Sequence, residues 1–201
     1  QMKFDLKLKD VLIAQIHQTI PTITTLFPMI KSMDGLINCH LTLSSQLDNQ
    51  MMPVIETTEA ICSINGQDMT LMDHEVFQNI AKKLKFKNKK KNKIDYLSAD
   101  LILKNNQIEV IPFQLSWDRY EAIVGGTHTT DFTYNYHVSM LKSPIPFDLG
   151  VDLFGKTDEM HYKLAKCKYK DLYKDGGATH KRKTQERLNS KREAIIKNIT
   201  L

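Results

Sequence analysis

The chain has 201 residues, 41% of them apolar and 25% charged, with a mean hydropathy of −0.36 and a formal net charge of +5. That length suits one domain with a sizeable core, and no apolar run approaches the roughly 18 residues that span a bilayer as a helix. Three cysteines, Cys39, Cys62 and Cys167, are odd in number and widely spaced. This argues against a disulfide framework, shows no CxxC metal or redox motif, and reads them as buried or idle thiols. The opening Gln1-Met2-Lys3-Phe4 lacks a signal-peptide core and reads as a piece of a longer precursor.

Taken in chain order, Phe4-Leu6-Leu8 alternates as a strand. Val11, Leu12, Ile16 and Ile20 suit a helix capped by Asp10, and Pro21 separates it from a second stripe at Ile23, Leu26, Phe27 and Ile30, extended by Met33. Ile37, Cys39, Leu41, Leu43 and Leu47 then alternate with polar neighbours. Val76, Phe77, Ile80, Ala81 and Leu84 form a third amphipathic helix, with Asp73 as its N-cap. It runs into a lysine cluster from Lys82 to Lys93, where positive charge suits a helix C-terminus.

Period-2 alternation dominates the rest. Leu97, Ala99, Leu101 and Leu103 share one parity. Ile108 and Val110 are even-numbered whereas Phe113, Leu115 and Trp117 are odd, so the frame slips at Ile111-Pro112 and a β-bulge is expected there. In the segment "YEAIVGGTHTTDFTYNYHVSML", Gly125-Gly126 ends or kinks one strand and Thr127 to Asp131 connect it to the next. Phe132, Tyr134, Tyr136, Val138 and Met140 follow as a strand. Phe147, Leu149, Val151 and Leu153 continue, then Met160, Tyr162 and Leu164. The stretch from about Thr179 to Asn198 is basic with a thin apolar stripe, a helical or disordered tail expected to be mobile. The expected organisation is a β-rich domain over 1–175 and a basic tail over 176–201.

Chemical signatures are sparse. Gly125-Gly126-Thr127-His128 lacks the G-x-S-x-G pattern of a nucleophile elbow and precedes a strand rather than a helix. The histidines show no HxH or HExxH spacing, and no P-loop or dinucleotide fingerprint occurs. Asp148 and Asp152 are polar-face residues first. The expectation is therefore a protein that is not an enzyme, with no metal and no cofactor.

The surplus of apolar sheet surface is the unusual feature. Roughly eight strands about 10 residues long, spaced ~4.8 Å, make a face of around 40 by 33 Å. Three helices about 16 Å long and 10 Å wide cover well under half of it. Contiguous apolar patches beyond a few hundred Å² usually serve a partner or ligand. The expected fold is mainly β with a few helices (α+β): a curled antiparallel sheet forming an apolar groove or taco-like half-barrel, partly covered by two or three amphipathic helices. The candidate groove residues are Leu41, Leu43, Val110, Phe113, Leu115, Trp117, Phe132, Tyr134, Tyr136, Leu149 and Val151; a filled sandwich core accounts for the same stripes. Lys87, Lys89, Lys90 and Lys91 are candidates for contact with an anionic surface, and a solvated loop accounts for them equally.

From Phe4 to about Lys170 the chain resembles the carboxy-terminal region of AsmA-like proteins of the Bacteroidetes-type envelope. The resemblance rests on "FDLKLKDVLIAQI", "TLFPMIKSMDGLINCHLTLSSQLD", "FQNIAKKLKFKNKKKNKIDYLSADLILKNNQIEVIPF" and "DRYEAIVGGTHTTDFTYNYHVSMLKSPIPFDLGV". It implies a membrane-anchored envelope protein projecting into the periplasm, with an apolar β-groove that moves phospholipid between membranes or serves outer-membrane assembly. The expected partners are phospholipid acyl chains or an anionic membrane surface, and possibly another envelope protein. The alternative is a β-rich scaffold docking such a protein. A nucleic-acid role is not expected, because the lysine cluster lacks interleaved stacking aromatics beyond Phe86.

Overall fold

The computed structural model describes residues 1–19, 30, 33–72, 78–79, 82–83, 91–117, 120–142, 149–156 and 159–197. Nine strands run in sequence order as one antiparallel meander: β1 (Met2–Leu12), β2 (Met33–Ser45), β3 (Glu59–Met72), β4 (Lys91–Lys104), β5 (Gln107–Trp117), β6 (Tyr120–Thr129), β7 (Thr133–Lys142), β8 (Leu149–Lys156) and β9 (Glu159–Lys166). The sheet does not close on itself. A short helix α1 (Ile13–Thr19) follows β1, and a long helix α2 (Ala178–Lys197) follows a 3-10 segment, Lys170–Gly177.

Register fixes which residues share a face, because paired residues in antiparallel strands point to the same side. One row reads Leu6, Leu41, Cys62, Leu101, Val110, Gly126, Tyr136, Leu153 and Tyr162 across all the strands. This apolar face carries the main core, in which Ile13 and Ile16 of α1 and Ile30 pack with Ile37, Met69, Ile94, Trp117, Met140 and Val151. The opposite face is mostly polar, with one apolar island where Ile61, Ile102 and Ile111 meet Leu188 and Ile195 of α2. Arg187 of α2 grips Glu109 through both guanidinium nitrogens at 3.2 and 2.7 Å. The basic segment is thus not the mobile tail expected: it lies on the sheet, with Leu188 fully buried.

The bulge in β5 lies where the parity changes. Val110 pairs with Gly126 and Phe113 with Val124, so Ile111 and Pro112 together oppose Gly125. Ile111 turns to the α2 side while Val110 and Phe113 keep to the apolar face. A Cβ on Gly125 would lie 2.9 Å from Pro112 Cγ, and Gly126, at φ +150°, would drive one to 2.3 Å from the Asn135 carbonyl oxygen. The glycine pair therefore permits close strand approach. β6 does not end there: it runs through both glycines to Thr129, and the connection is shortened to residues 130–132.

Other expectations are corrected. Asp10 does not cap a helix; it has φ 51° and sits at a bulge in β1, which continues through Val11 and Leu12. Met33 opens β2 rather than extending a helix. β3 was not expected as a strand. The stripe from Ile23 to Phe27 lies outside the described residues, and of the Val76–Leu84 stripe only 78–79 and 82–83 are described, as helix.

Candidate functional site

The predicted groove residues, Phe132 excepted, occupy the apolar face. Leu41 and Leu43 come from β2, Val110, Phe113, Leu115 and Trp117 from β5, Tyr134 and Tyr136 from β7, and Leu149 and Val151 from β8. They divide by depth. Val110, Trp117, Tyr134 and Val151 are buried and fill the core, whereas Leu41, Leu43, Phe113, Leu115, Tyr136 and Leu149 remain half-buried. Toward the margins the same face opens further, to 45% exposure at Phe4 on β1 and 50% at Leu164 on β9. Phe132 is a correction. It precedes β7 in the turn, at φ 63°, and donates its N–H to the Thr129 carbonyl at 3.0 Å. Alternation carried it one residue too far, into a position where backbone geometry outranks strand parity.

A buried polar cluster lies within this face. His128 on β6 is buried, with Nδ1 2.8 Å from the Tyr136 hydroxyl, and its ring stacks on Tyr134 at 5.2 Å. Burial holds the Tyr136 hydroxyl well above the ordinary phenol range. Tyr136 therefore presents a neutral, amphipathic ring to the apolar face.

The strand ends that flank the β1–β2, β3–β4 and β7–β8 intervals share the end at which β4 begins and β7 and β9 finish, with Lys91, Lys93, Lys142 and Lys166. Lys93 pairs with Asp68 at 3.0 Å. Lys87, Lys89 and Lys90 lie outside the described residues, as does the side chain of Lys91.

Sequence reading missed a constellation on the opposite face. His137 and Ser139 of β7, two residues apart, point the same way, and Asp152 of β8 is His137's cross-strand partner. The carboxylate lies 2.6 Å from His137 Nδ1, and His137 Nε2 lies 2.8 Å from Ser139 Oγ. Asp152 on Nδ1–H leaves Nε2 as an acceptor for the serine hydroxyl. Backbone N–H groups of Lys168 and Tyr169 donate to the same Oγ at 3.0 and 3.2 Å, and Lys168 Nζ donates to Asp152 at 2.5 Å.

The order Asp–His–Ser is that of a nucleophilic relay, but its hydroxyl is saturated and fully buried. It gives one proton and accepts two. No substrate atom can reach it without displacing the chain at Lys168–Tyr169, so the network acts as a clamp fastening the segment after β9 to the sheet. Burial lowers the His137 pKa, against the opposing pull of Asp152, and so favours the neutral ring. Burial also opposes ionisation of Asp152, but hydrogen bonds from Lys168 and His137 outweigh it and hold the carboxyl below its ordinary range. Gly150 fits under the imidazole, where a Cβ would lie 2.5 Å from Cε1.

Among the described residues, no cluster of His, Cys, Asp or Glu has the spacing to hold a metal ion, and no helix is long and apolar enough to cross a membrane. No protein-family model, curated protein or solved structure matches the chain.

Proposed function

We propose that this protein is a non-enzymatic module of the bacterial cell envelope that takes phospholipid acyl chains on the apolar face of its sheet. The observation that carries the reading is the asymmetry of the two faces. One face is polar and docks α2; the other is apolar across every strand and remains half-buried at Leu41, Leu43, Phe113, Leu115, Tyr136 and Leu149. Acyl chains are the occupant that this chemistry favours. The face offers branched and aromatic side chains with few hydrogen-bonding groups, and a lysine-rich strand end adjoins it, suited to anionic headgroups.

The AsmA-like resemblance agrees with this reading. In this reading the chain is part of a longer membrane-anchored protein at the periplasmic face that moves phospholipid or assists outer-membrane assembly, and the charge of Lys87, Lys89, Lys90 and Lys91 meets the headgroups. No metal or cofactor is required. Occlusion of the Ser139 hydroxyl favours this reading over a hydrolase.

The single tryptophan supplies the assay, since Trp117 lies in the apolar core. Vesicles carrying a phospholipid with a dansyl group on its acyl chain should give energy transfer from Trp117, competed by unlabelled phospholipid. Absence of transfer at saturating lipid, from a chain that remains folded, rejects the acyl-chain site and leaves the scaffold that docks another envelope protein.

A further inference from the structure

We propose that Cys39 and Cys62 are a redox pair that closes to a reversible disulfide between β2 and β3. Their sulfur atoms lie 3.5 Å apart with neither thiol bonded covalently. Cys39 pairs with Ile64 and Leu41 with Cys62, so the two are diagonal neighbours on one face of adjacent strands. Both are half-buried. Cys167 is placed elsewhere, with its Sγ directed at the carbonyl oxygens of Met140 and Leu149 at 3.5 and 3.3 Å.

The geometry makes the bond formable but not relaxed. Diagonal residues in an antiparallel pair have Cα atoms about 7–8 Å apart, at or just beyond the upper limit that a disulfide spans. Closing the sulfur gap therefore shifts β2 slightly against β3. A bond held under such tension is oxidising and readily reduced, the character of a regulatory rather than a structural disulfide. The thiols are also unequal. The hydrogen bond from Cys62, with the Arg192 charge assisting, lowers the Cys39 pKa, whereas that same bond and burial raise Cys62. Cys62 also packs against the Leu101, Ile108 and Val110 cluster, which Cys39 does not join, so Cys39 is the attacking sulfur and Cys62 the resolving one.

The reaction consumes one external disulfide. The Cys39 thiolate attacks a sulfur of the small-molecule disulfide and expels one thiolate, leaving a mixed disulfide on Cys39. Cys62, as it loses its proton, attacks the Cys39 sulfur and expels the second. Two protein thiols are oxidised, and the external disulfide is reduced to two thiols.

Oxidised glutathione added to the folded, reduced chain provides the test, read by alkylation and intact mass. The expected product has lost two hydrogens and retains only Cys167 as an alkylatable thiol. Endoproteinase Glu-C, which cuts after Glu56 and Glu59 between the two cysteines, should release peptides that separate only on reduction. Excess reduced glutathione should reopen the bond, and Cys62→Ser should keep a glutathione adduct on Cys39. Three alkylatable thiols after oxidation, pairing through Cys167, or a bond that resists glutathione would each overturn the proposal.

Discussion

Removing the Leu188 side chain tests whether α2 belongs to the fold. Leu188→Ala deletes three carbons from a side chain with 0% exposure, enclosed by Ile61, Ile102, Ile111 and Ile195. At about 0.8 kcal/mol per buried methylene the transfer loss is roughly 2.4 kcal/mol. The cavity left between a helix and a sheet adds to it, so the expected cost is about 2–4 kcal/mol. For a chain of this size that lowers Tm by roughly 5–15 °C. Ile196, one residue after Ile195, is 41% exposed. Ile196→Ala removes little buried surface and gains helix propensity, so it should cost below about 1 kcal/mol. Urea unfolding followed by far-UV circular dichroism gives both numbers. Equal, small losses for the two variants would refute the docking of α2 and return the segment to a mobile tail.

The clamp at His137 predicts a pH dependence. Because burial lowers its pKa, the unfolded chain binds the proton more readily; this stability is full above the unfolded value of about 6.5 and is lost as pH falls toward the folded value. The stability gap between wild type and His137→Gln should therefore narrow as urea midpoints are followed from about pH 8 to 5, and a constant gap would contradict the assignment. Gly126→Ala, which places a Cβ against the Asn135 carbonyl at positive φ, should destabilise by about 1–3 kcal/mol; an unchanged thermal melt would show that β6 and β7 are spaced more loosely. Changing Lys87, Lys89, Lys90 and Lys91 together to Gln should weaken co-sedimentation with anionic vesicles at low salt, at about 1 kcal/mol per lysine, while equal binding by both proteins excludes a membrane role for the cluster.

The register was legible where large apolar residues alternate without competition, as in Tyr134, Tyr136, Val138 and Met140. The β5 bulge was legible because a parity change coincides with Pro112, which lacks a ladder donor. β3 escaped notice because the small or weakly apolar Ala60, Cys62 and Gly66 surround Ile64 on its apolar face, Ile61 points at α2, and the parity slips at Asp68, at φ 50°, before Met69 enters the core. Asp10 read as a cap because propensity does not distinguish a helix start from an αL bulge in a continuing strand. The docking of α2 was hidden because Leu188 and Ile195 share its buried stripe with Arg192, whose guanidinium reaches Ser63 at 2.5 Å. His137, Ser139 and Asp152 each looked like solvated polar-face residues. Their network exists only because the segment after β9 folds back over them, and nothing in strand spacing announces that return.

Native mass spectrometry of the folded chain after incubation with phospholipid vesicles tests the central claim most directly. Phospholipid should be bound to the wild type and lost from a Leu43→Glu, Phe113→Glu variant whose circular dichroism shows the sheet intact. A wild-type chain that remains folded and carries no phospholipid under these conditions would contradict it.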